Sequence, residues 1–145
     1  MNKKGFTLVE LLSVIVVLAI VMAIAVPSVI GVNSIIKNNM LDSKVEFIEE
    51  AAVLFGQDIK GSVMSSGTKY KNYPCKEYIV SDLVPQYLSK DNENNCLNKE
   101  SSGNVGCIVD PRDESNYLDK YKVIIYFKNK RIRAIVDTDN TLSCS

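Results

Sequence analysis

The sequence predicts an α+β fold in which one long N-terminal α-helix packs on a small antiparallel β-sheet. Residues 11–32 are apolar and carry no charge, and they lead without a break into a second helical pattern. In that second pattern apolar residues recur every three or four positions from Leu41 to Ile59, which is one face of a helix. Near the C-terminus, residues 120–128 and 132–136 alternate in the manner of two β-strands.

The composition argues against catalysis. Lys and Arg together number 17, and so do Asp and Glu, which gives no whole-chain preference for a nucleic acid or an acidic partner. The chain contains no histidine, which is the commonest metal ligand and the usual proton carrier near neutral pH. We therefore predict a protein that is not an enzyme and has no cofactor.

The apolar run of residues 11–32 is predicted to cross a membrane. At ~1.5 Å per residue, a helix of this length covers the ~30 Å of hydrocarbon in a bilayer. Lys3 and Lys4 precede it without an acidic residue, so the N-terminus is expected in the cytoplasm and the rest of the chain outside. The alternative is a secretory signal peptide cut after Ala25, which the continuing apolar run and the nearby Pro27 disfavour.

Residues 5–10 read Gly-Phe-Thr-Leu-Val-Glu, with a short basic leader before them and the apolar run after them. This arrangement resembles the class III signal of type IV pilins and pseudopilins. The resemblance implies that a prepilin peptidase cleaves after Gly5, that Phe6 is then N-methylated, and that the apolar helix stays on the mature protein. It also implies a pilin-like fold, held first in the cell membrane and then assembled into an extracellular or cell-envelope filament.

The resemblance implies partners rather than cofactors. These are a prepilin peptidase with methyltransferase activity, other pilin-like subunits, a membrane platform protein and a cytoplasmic assembly ATPase. Membrane lipid would surround the helix before assembly. Type IV pili, type II secretion and competence are the systems that such subunits serve. The alternative class of protein is a monomeric, disulfide-bonded binding domain that is membrane-anchored or secreted.

Glu10 lies at the start of the apolar segment, where an unpaired carboxylate costs up to a few kcal/mol. Cleavage after Gly5 would give Phe6 a positively charged amine. In a filament of parallel, staggered subunits, Glu10 of one copy could pair with the Phe6 amine of the next, and this pair would set the axial register. The alternative is that Glu10 lies at the membrane interface and reaches water.

Pro27 is predicted to weaken the helix, because it has no amide hydrogen for the carbonyl of Ala23. Gly31, one turn later, adds a second weak point of ~1 kcal/mol. A kink or local melting between residues 23 and 31 follows. It is either a packing kink only or, as the resemblance suggests, a place where the helix loosens during assembly.

The predicted segments are a leader, a membrane and filament-core helix, an amphipathic stem helix and a small head. They cover residues 1–5, 6–32, 33–64 and 65–145, respectively. Within the head we predict a short helix at residues 81–88, a loop at 89–116 and a hairpin that turns at residues 128–131.

The four cysteines all follow the apolar run, in the part of the chain expected outside the cytoplasm, and are predicted to form disulfides. Three pairings are open. We favour the nested one, in which Cys96 and Cys107 close a short loop and Cys75 and Cys144 tie the C-terminus to the start of the head. A zinc site is disfavoured because no two cysteines form a C-x-x-C pair.

Two weaker signals lie near the C-terminus. Basic residues with tyrosines among them can contact nucleic acid, although a solvated sheet face or a protected sheet edge is the favoured interpretation. The loop at residues 137–140 offers oxygen ligands but lacks the glycine and distal acid of an EF-hand, so calcium is not predicted. The candidate nucleic-acid contacts are Lys122, Lys128, Lys130, Arg131 and Arg133, with Tyr121 and Tyr126.

Overall fold

The structure, a computed structural model, describes residues 7–145, except for the side chains of residues 25–30. The chain divides into two compact units, of which the first ends at Asn38 and the second covers Asn39–Ser145. From Leu8 to Asn38, the first unit belongs to one long helix. The second contains the remainder of that helix and all of the β-strands.

The long helix α1 covers Leu8–Asp58, and a short helix α2 covers Lys60–Met64. Ile59 separates the two, with φ −99° and ψ 15°. With 51 residues, α1 is far longer than the ~10–14 residues of an average helix. It continues without interruption across the boundary predicted between residues 32 and 33, which confirms the long N-terminal helix.

Short strands follow the helices and form antiparallel sheets. The strands β1, β2, β5 and β6 make a sheet in the order β1-β2-β5-β6, and β3 pairs with β4. A long helix packed on an antiparallel sheet is the predicted α+β, pilin-like architecture. The strand bounds are β1 Lys69–Tyr70, β2 Tyr73–Ile79, β3 Val109–Asp110, β4 Asp113–Tyr117, β5 Lys122–Lys128 and β6 Arg131–Asp137.

The hairpin of β5 and β6 has the predicted turn. Lys128 lies opposite Arg131, so two residues connect the strands. These are Asn129 and Lys130, with φ of 52° and 64°. Positive φ at both central residues is the turn geometry whose twist matches that of paired strands.

The helix predicted at residues 81–88 is wrong. Only Val80–Leu83 forms a turn of 3-10 helix, at whose start the Ile79 N–H donates to Asp82 Oδ2 at 3.0 Å. Val84 then has φ −92° and ψ 140°, which is extended. A residue before proline is driven from the helical conformation, so Pro85 follows the turn instead of lying within it.

The loop predicted at residues 89–116 is also wrong in part, because β3 and most of β4 lie inside it. The strand β4 has the sequence Asp-Glu-Ser-Asn-Tyr, and its first four side chains are exposed. With no buried face, such a strand has no apolar alternation that could reveal it in the sequence. The strands β1 and β2 were likewise not predicted.

Helix α1 packs on the sheet through the predicted apolar stripe. Ile48 and Ala52 are fully buried in the same cluster as Ile125. Close approach depends on Gly56, because a Cβ there would lie 2.6 Å from Cγ2 of Ile132 and 2.7 Å from Cγ2 of Ile125. The remaining members of the stripe are buried or partly buried in this cluster: Leu41, Val45, Phe55 and Ile59.

A smaller apolar cluster lies on the other face of the sheet. Successive residues of a strand point to opposite faces, so Ile124 belongs to this cluster while Ile125 faces α1. Tyr70 and Cys75 are buried beside Ile124, and Leu142 packs against them from the C-terminal segment. The second unit therefore has apolar packing on both faces of its main sheet.

Candidate functional site

The first described residues form a capping box at the start of α1. The Leu11 N–H donates to the carbonyl of Thr7 at 3.2 Å, which makes Thr7 the N-cap residue. The N–H and the hydroxyl of Thr7 both donate to Glu10 Oε2, at 2.9 and 3.0 Å. The Glu10 N–H donates in return to Thr7 Oγ1 at 3.3 Å. This role of Thr7 was not predicted, although threonine followed three residues later by glutamate is its signature.

Two residues assigned to processing and assembly, Gly5 and Phe6, precede the described part of the chain. Pro27 lies within α1, but its side chain is among those of residues 25–30 that are not described. Their roles stay predictions, as does the pairing of Glu10 with the Phe6 amine of a neighbouring copy. Of the predicted assembly residues, Glu10 is the one whose side chain the structure describes.

The described side chains from Thr7 to Met40 are all exposed, and large apolar residues dominate among them. Leu8, for example, is 80% exposed. Within the side chains that are described, no helix reaches the length and hydropathy needed to cross a membrane. Contiguous exposed apolar surface marks a place of contact with protein or lipid.

The cysteines form two disulfide bonds, Cys75–Cys144 and Cys96–Cys107, which is the nested arrangement favoured from the sequence. The first joins residues 69 positions apart and the second residues 11 apart. Beside the first bond, Lys69 N–H donates to the carbonyl of Ser145 at 2.8 Å, and Ser145 N–H donates to that of Lys69 at 3.1 Å. The C-terminal segment is thus attached to the sheet edge covalently and by backbone hydrogen bonds.

Asp119 organises the segment that contains the Cys96–Cys107 disulfide. Its buried carboxylate accepts three backbone N–H groups, from Leu97 at 2.8 Å and from Cys107 and Ile108 at 3.0 Å each. The carboxylate and the sulfurs of Cys96 and Cys107 also lie within 4.8 Å of one another. Because the sulfurs are bonded to each other, they are not the thiolates that a metal needs. Nothing in the sequence pattern had singled out Asp119.

The five basic residues predicted as nucleic-acid contacts divide into two groups. Lys122 Nζ donates to the Leu142 carbonyl at 3.0 Å and lies 3.8 Å from Asp137 Oδ2. Lys128 Nζ lies 5.1 Å from the ring centre of Tyr73. These two cations therefore have partners within the head.

The other three, Lys130, Arg131 and Arg133, line one cavity of about 470 Å³ together with Gln57 and Lys60. The two tyrosines that were predicted to share this surface are separated from each other. Tyr121 packs against the main core, while Tyr126 belongs to the cluster on the opposite face of the sheet. Contact with nucleic acid stays a prediction.

Asp137, from the loop considered for calcium, holds the backbone of its own turn. Its carboxylate accepts the N–H groups of Leu142 at 3.0 Å, Thr141 at 3.1 Å and Asp139 at 3.3 Å. Burial raises the pKa of Asp137, but these hydrogen bonds outweigh burial and the net pKa is lowered. The Asp137 carboxylate thus fixes the backbone of the segment that leads to Cys144.

Comparison with known proteins identifies the N-terminal segment. Residues 1–26 match the family model of the prokaryotic N-terminal methylation motif. This motif is the class III prepilin signal of type IV pilins and pseudopilins, which confirms the resemblance seen in residues 5–10. No curated protein and no solved structure matches the chain.

A prepilin signal in front of a pilin-like α+β fold supports a type IV pilin- or pseudopilin-like precursor. The motif implies processing by a prepilin peptidase, assembly with pilin-like subunits and a membrane-anchored stage before the filament. It implies a structural subunit.

Proposed function

We propose that this chain is a structural subunit of a type IV pilus-like filament, cleaved after Gly5, N-methylated at Phe6 and polymerised through its N-terminal helix. One observation carries the proposal. The methylation motif at residues 1–26 includes the start of α1, whose described side chains are mainly apolar and all exposed up to Ile24. Such a helix needs lipid or other copies of itself around it.

In this function the subunit is stored with residues 6–32 in the cell membrane and its N-terminus on the cytoplasmic side. A prepilin peptidase removes residues 1–5 and methylates the new amine. A platform protein and an assembly ATPase then move the subunit into the filament, where neighbouring helices replace lipid. Because lipid tails and apolar side chains are equally apolar, burial alone does not fix the register, and a polar pair can.

Glu10 is the acidic member of that proposed pair. A carboxylate has two oxygens and about four acceptor positions, so the two hydrogen bonds from Thr7 leave capacity for an amine. The capping box also limits the rotamers of Glu10, which keeps its carboxylate beside the helix start. We therefore assign Thr7 as a positioning residue for Glu10.

The first experiment determines the mature N-terminus. Mass spectrometry of the protein from membrane and filament fractions should show a chain that starts at N-methylated Phe6. Gly5→Val should leave the precursor uncut, since the peptidase needs close approach to the backbone at this position. A chain that starts only at Met1 or Val26 would instead support the monomeric, membrane-anchored or secreted binding domain.

The second experiment separates the charge of Glu10 from its capping role. Glu10→Gln keeps a side chain that can serve the capping box but removes the charge, whereas Thr7→Val removes the cap and leaves the carboxylate. We expect Glu10→Gln to be inserted and cleaved but to lose at least ~10-fold in filament incorporation, because an amine buried without its acid costs several kcal/mol. Thr7→Val should lose much less.

The measured quantity is the ratio of processed subunit in sheared filaments to that left in membranes. Glu10→Val, which removes both charge and cap, should behave like Glu10→Gln. An unchanged ratio in Glu10→Gln would show that the acid is only tolerated at the membrane interface, and the register role would have to be abandoned.

A further inference from the structure

A groove runs along the junction of α1 and the edge strand β6 in the second unit. One end is a cavity of about 510 Å³ lined by Glu46, Glu49 and Glu50, and the other is the cavity of about 470 Å³ that contains the basic residues. Both cavities include Val53 and Arg133, so the groove is continuous. It is acidic at one end and basic at the other.

The basic end is formed by two elements and is called here the basic edge: Lys60 from α2 and Lys130, Arg131 and Arg133 from the β5–β6 turn and β6. None of the residues that line its cavity is acidic. Among the described residues, no ion pair involves these four cations, although Arg133 also lines the cavity of the three glutamates. Lys60 Nζ rests 5.3 Å from the ring centre of Phe127.

A second surface, called here the acidic helix face, lies on α1. Asp42, Glu46 and Glu50 follow one another at four-residue intervals and are exposed. Phe47 and Leu54 lie on the same part of the helix and are 55% and 56% exposed. Exposed apolar side chains beside unpaired acids have the composition of an interface centre with a charged rim.

The chain already contains one contact of the kind that these surfaces could make with each other. Glu49 Oε1 accepts the N–H of Val136 at 2.9 Å, so a carboxylate of α1 covers a backbone group on the free edge of β6. Backbone groups repeat every two residues along an edge strand, and the N–H groups of Ile132 and Ala134 therefore point the same way. Further carboxylates could bind there in the same manner.

We propose that the basic edge of one copy binds the acidic helix face of a second copy. Charge complementarity favours this occupant, because each chain carries both a basic and an acidic surface. In a filament of parallel, staggered copies the contact is heterologous, and it extends from copy to copy instead of closing a dimer. The inference rests on the proposed function, in which processed subunits lie side by side.

The test places a photo-crosslinking amino acid at position 47 of the full-length chain in cell membranes and filaments. Two differently tagged copies are expressed together, so that links between chains can be recognised. We expect a covalent dimer whose cross-linked peptide contains residues 130–134 of the other copy. The same amino acid at Val105, which is 58% exposed, is the matched control and should give no dimer.

Charge reversal tests the complementarity. Glu46→Arg with Glu50→Arg, or Arg131→Glu with Arg133→Glu, should each lower the dimer yield by at least ~10-fold, because like charges then meet. Combining all four changes should restore at least half of the wild-type yield. Reversing Glu93 and Glu100, which are exposed in the disulfide segment, is the control and should have no effect.

Several results would overturn the proposal: no dimer, a link from position 47 to position 47, a link to nucleic acid, lipid or another protein, or no rescue in the combined variant. The two proposals fail separately. A processed chain that starts at Phe6 without the cross-link would contradict this contact alone. The cross-link in a chain that still starts at Met1 would retain the contact and contradict the filament function.

Discussion

The two units share one helix, and its surroundings differ between them. From Thr7 to Met40 every described side chain of α1 is exposed, whereas from Leu41 onwards a stripe is buried under the sheet. The first part has no periodicity because it has no single preferred face, and the second has one face that its own chain covers. The head therefore stabilises only the part of the helix that it covers.

The largest expected effect comes from removing the covalent bonds of the second unit. Loop-closure entropy predicts that losing Cys75–Cys144, with its separation of 69, costs about 4 kcal/mol, and losing Cys96–Cys107, with 11, about 3 kcal/mol. Double Cys→Ser variants of the full chain in detergent would be compared by hydrogen exchange. Exchange should accelerate in residues 39–145 and stay unchanged in residues 8–38.

Accelerated exchange in both units would show that they unfold together. The head would then stabilise the whole of α1 and not only the part that it covers. A companion measurement is alkylation of the unreduced, unfolded wild type, which should label none of the four cysteines. Labelling of two or more would contradict the bonds or the predicted compartment.

Glycine substitutions in the same helix give the next largest effect. Gly56→Ala should lower the free energy of unfolding by about 1–2 kcal/mol, because overpacking against Ile125 and Ile132 exceeds the gain in helix propensity. Gly31→Ala, with nothing within 4 Å of the new methyl group, should instead stabilise its segment by up to ~1 kcal/mol. Opposite signs in the two units are the expected result.

Gly61→Ala is the control within the second unit, since its Cβ would also meet nothing within 4 Å. If Gly56→Ala were as harmless as Gly61→Ala, the packing of α1 on β5 and β6 would be looser than described.

The last effect, which is no larger than that of Gly56→Ala, concerns pH and is confined to the second unit. Arg112 Nη2 lies 2.7 Å from the buried Asp110 Oδ2, and Arg112 N–H donates to Oδ1 at 2.8 Å. Burial raises the pKa of Asp110. The hydrogen bonds and the charge of Arg112 together lower it by more than burial raises it, so the net pKa lies below its usual value. Asp110→Asn should cost about 1–2 kcal/mol at neutral pH.

The sign follows from linkage. A lowered folded-state pKa stabilises the protein above the unfolded-state pKa, and this contribution is lost as the pH falls through the folded value. The difference between wild type and Asp110→Asn should therefore be full above about pH 5 and shrink in stronger acid. A constant difference across this range would assign the effect to packing and not to charge.

The features that the sequence predicts best are those with a regular buried face. The stripe of α1 and the alternation of β5 and β6 each repeat with the period of their own element, so the pattern alone identifies them. The turn at Asn129 and Lys130 then follows from the spacing of the two strands. The N-terminal motif was readable because six adjacent residues and their flanks carry it.

What escaped prediction depends on contacts that are distant in sequence. The strand β2 contains Pro74, which argues against a central strand, and the adjacent charges of Lys76 and Glu77 break its alternation. Its place in the sheet comes from pairing with β5, about 50 residues later. Asp119 likewise gains its role only when Leu97 and Cys107 fold around it.

The bond between Cys75 and Cys144 also has a mechanical consequence. When a subunit is pulled by α1 and by its C-terminal end, tension passes directly from β2 to the C-terminal segment through sulfur. The 69 residues of separation between the two cysteines are excluded from the load path. Fully extended, these residues would add roughly 230–250 Å to the length of the subunit. The disulfide bond prevents this extension and leaves most of the head without load.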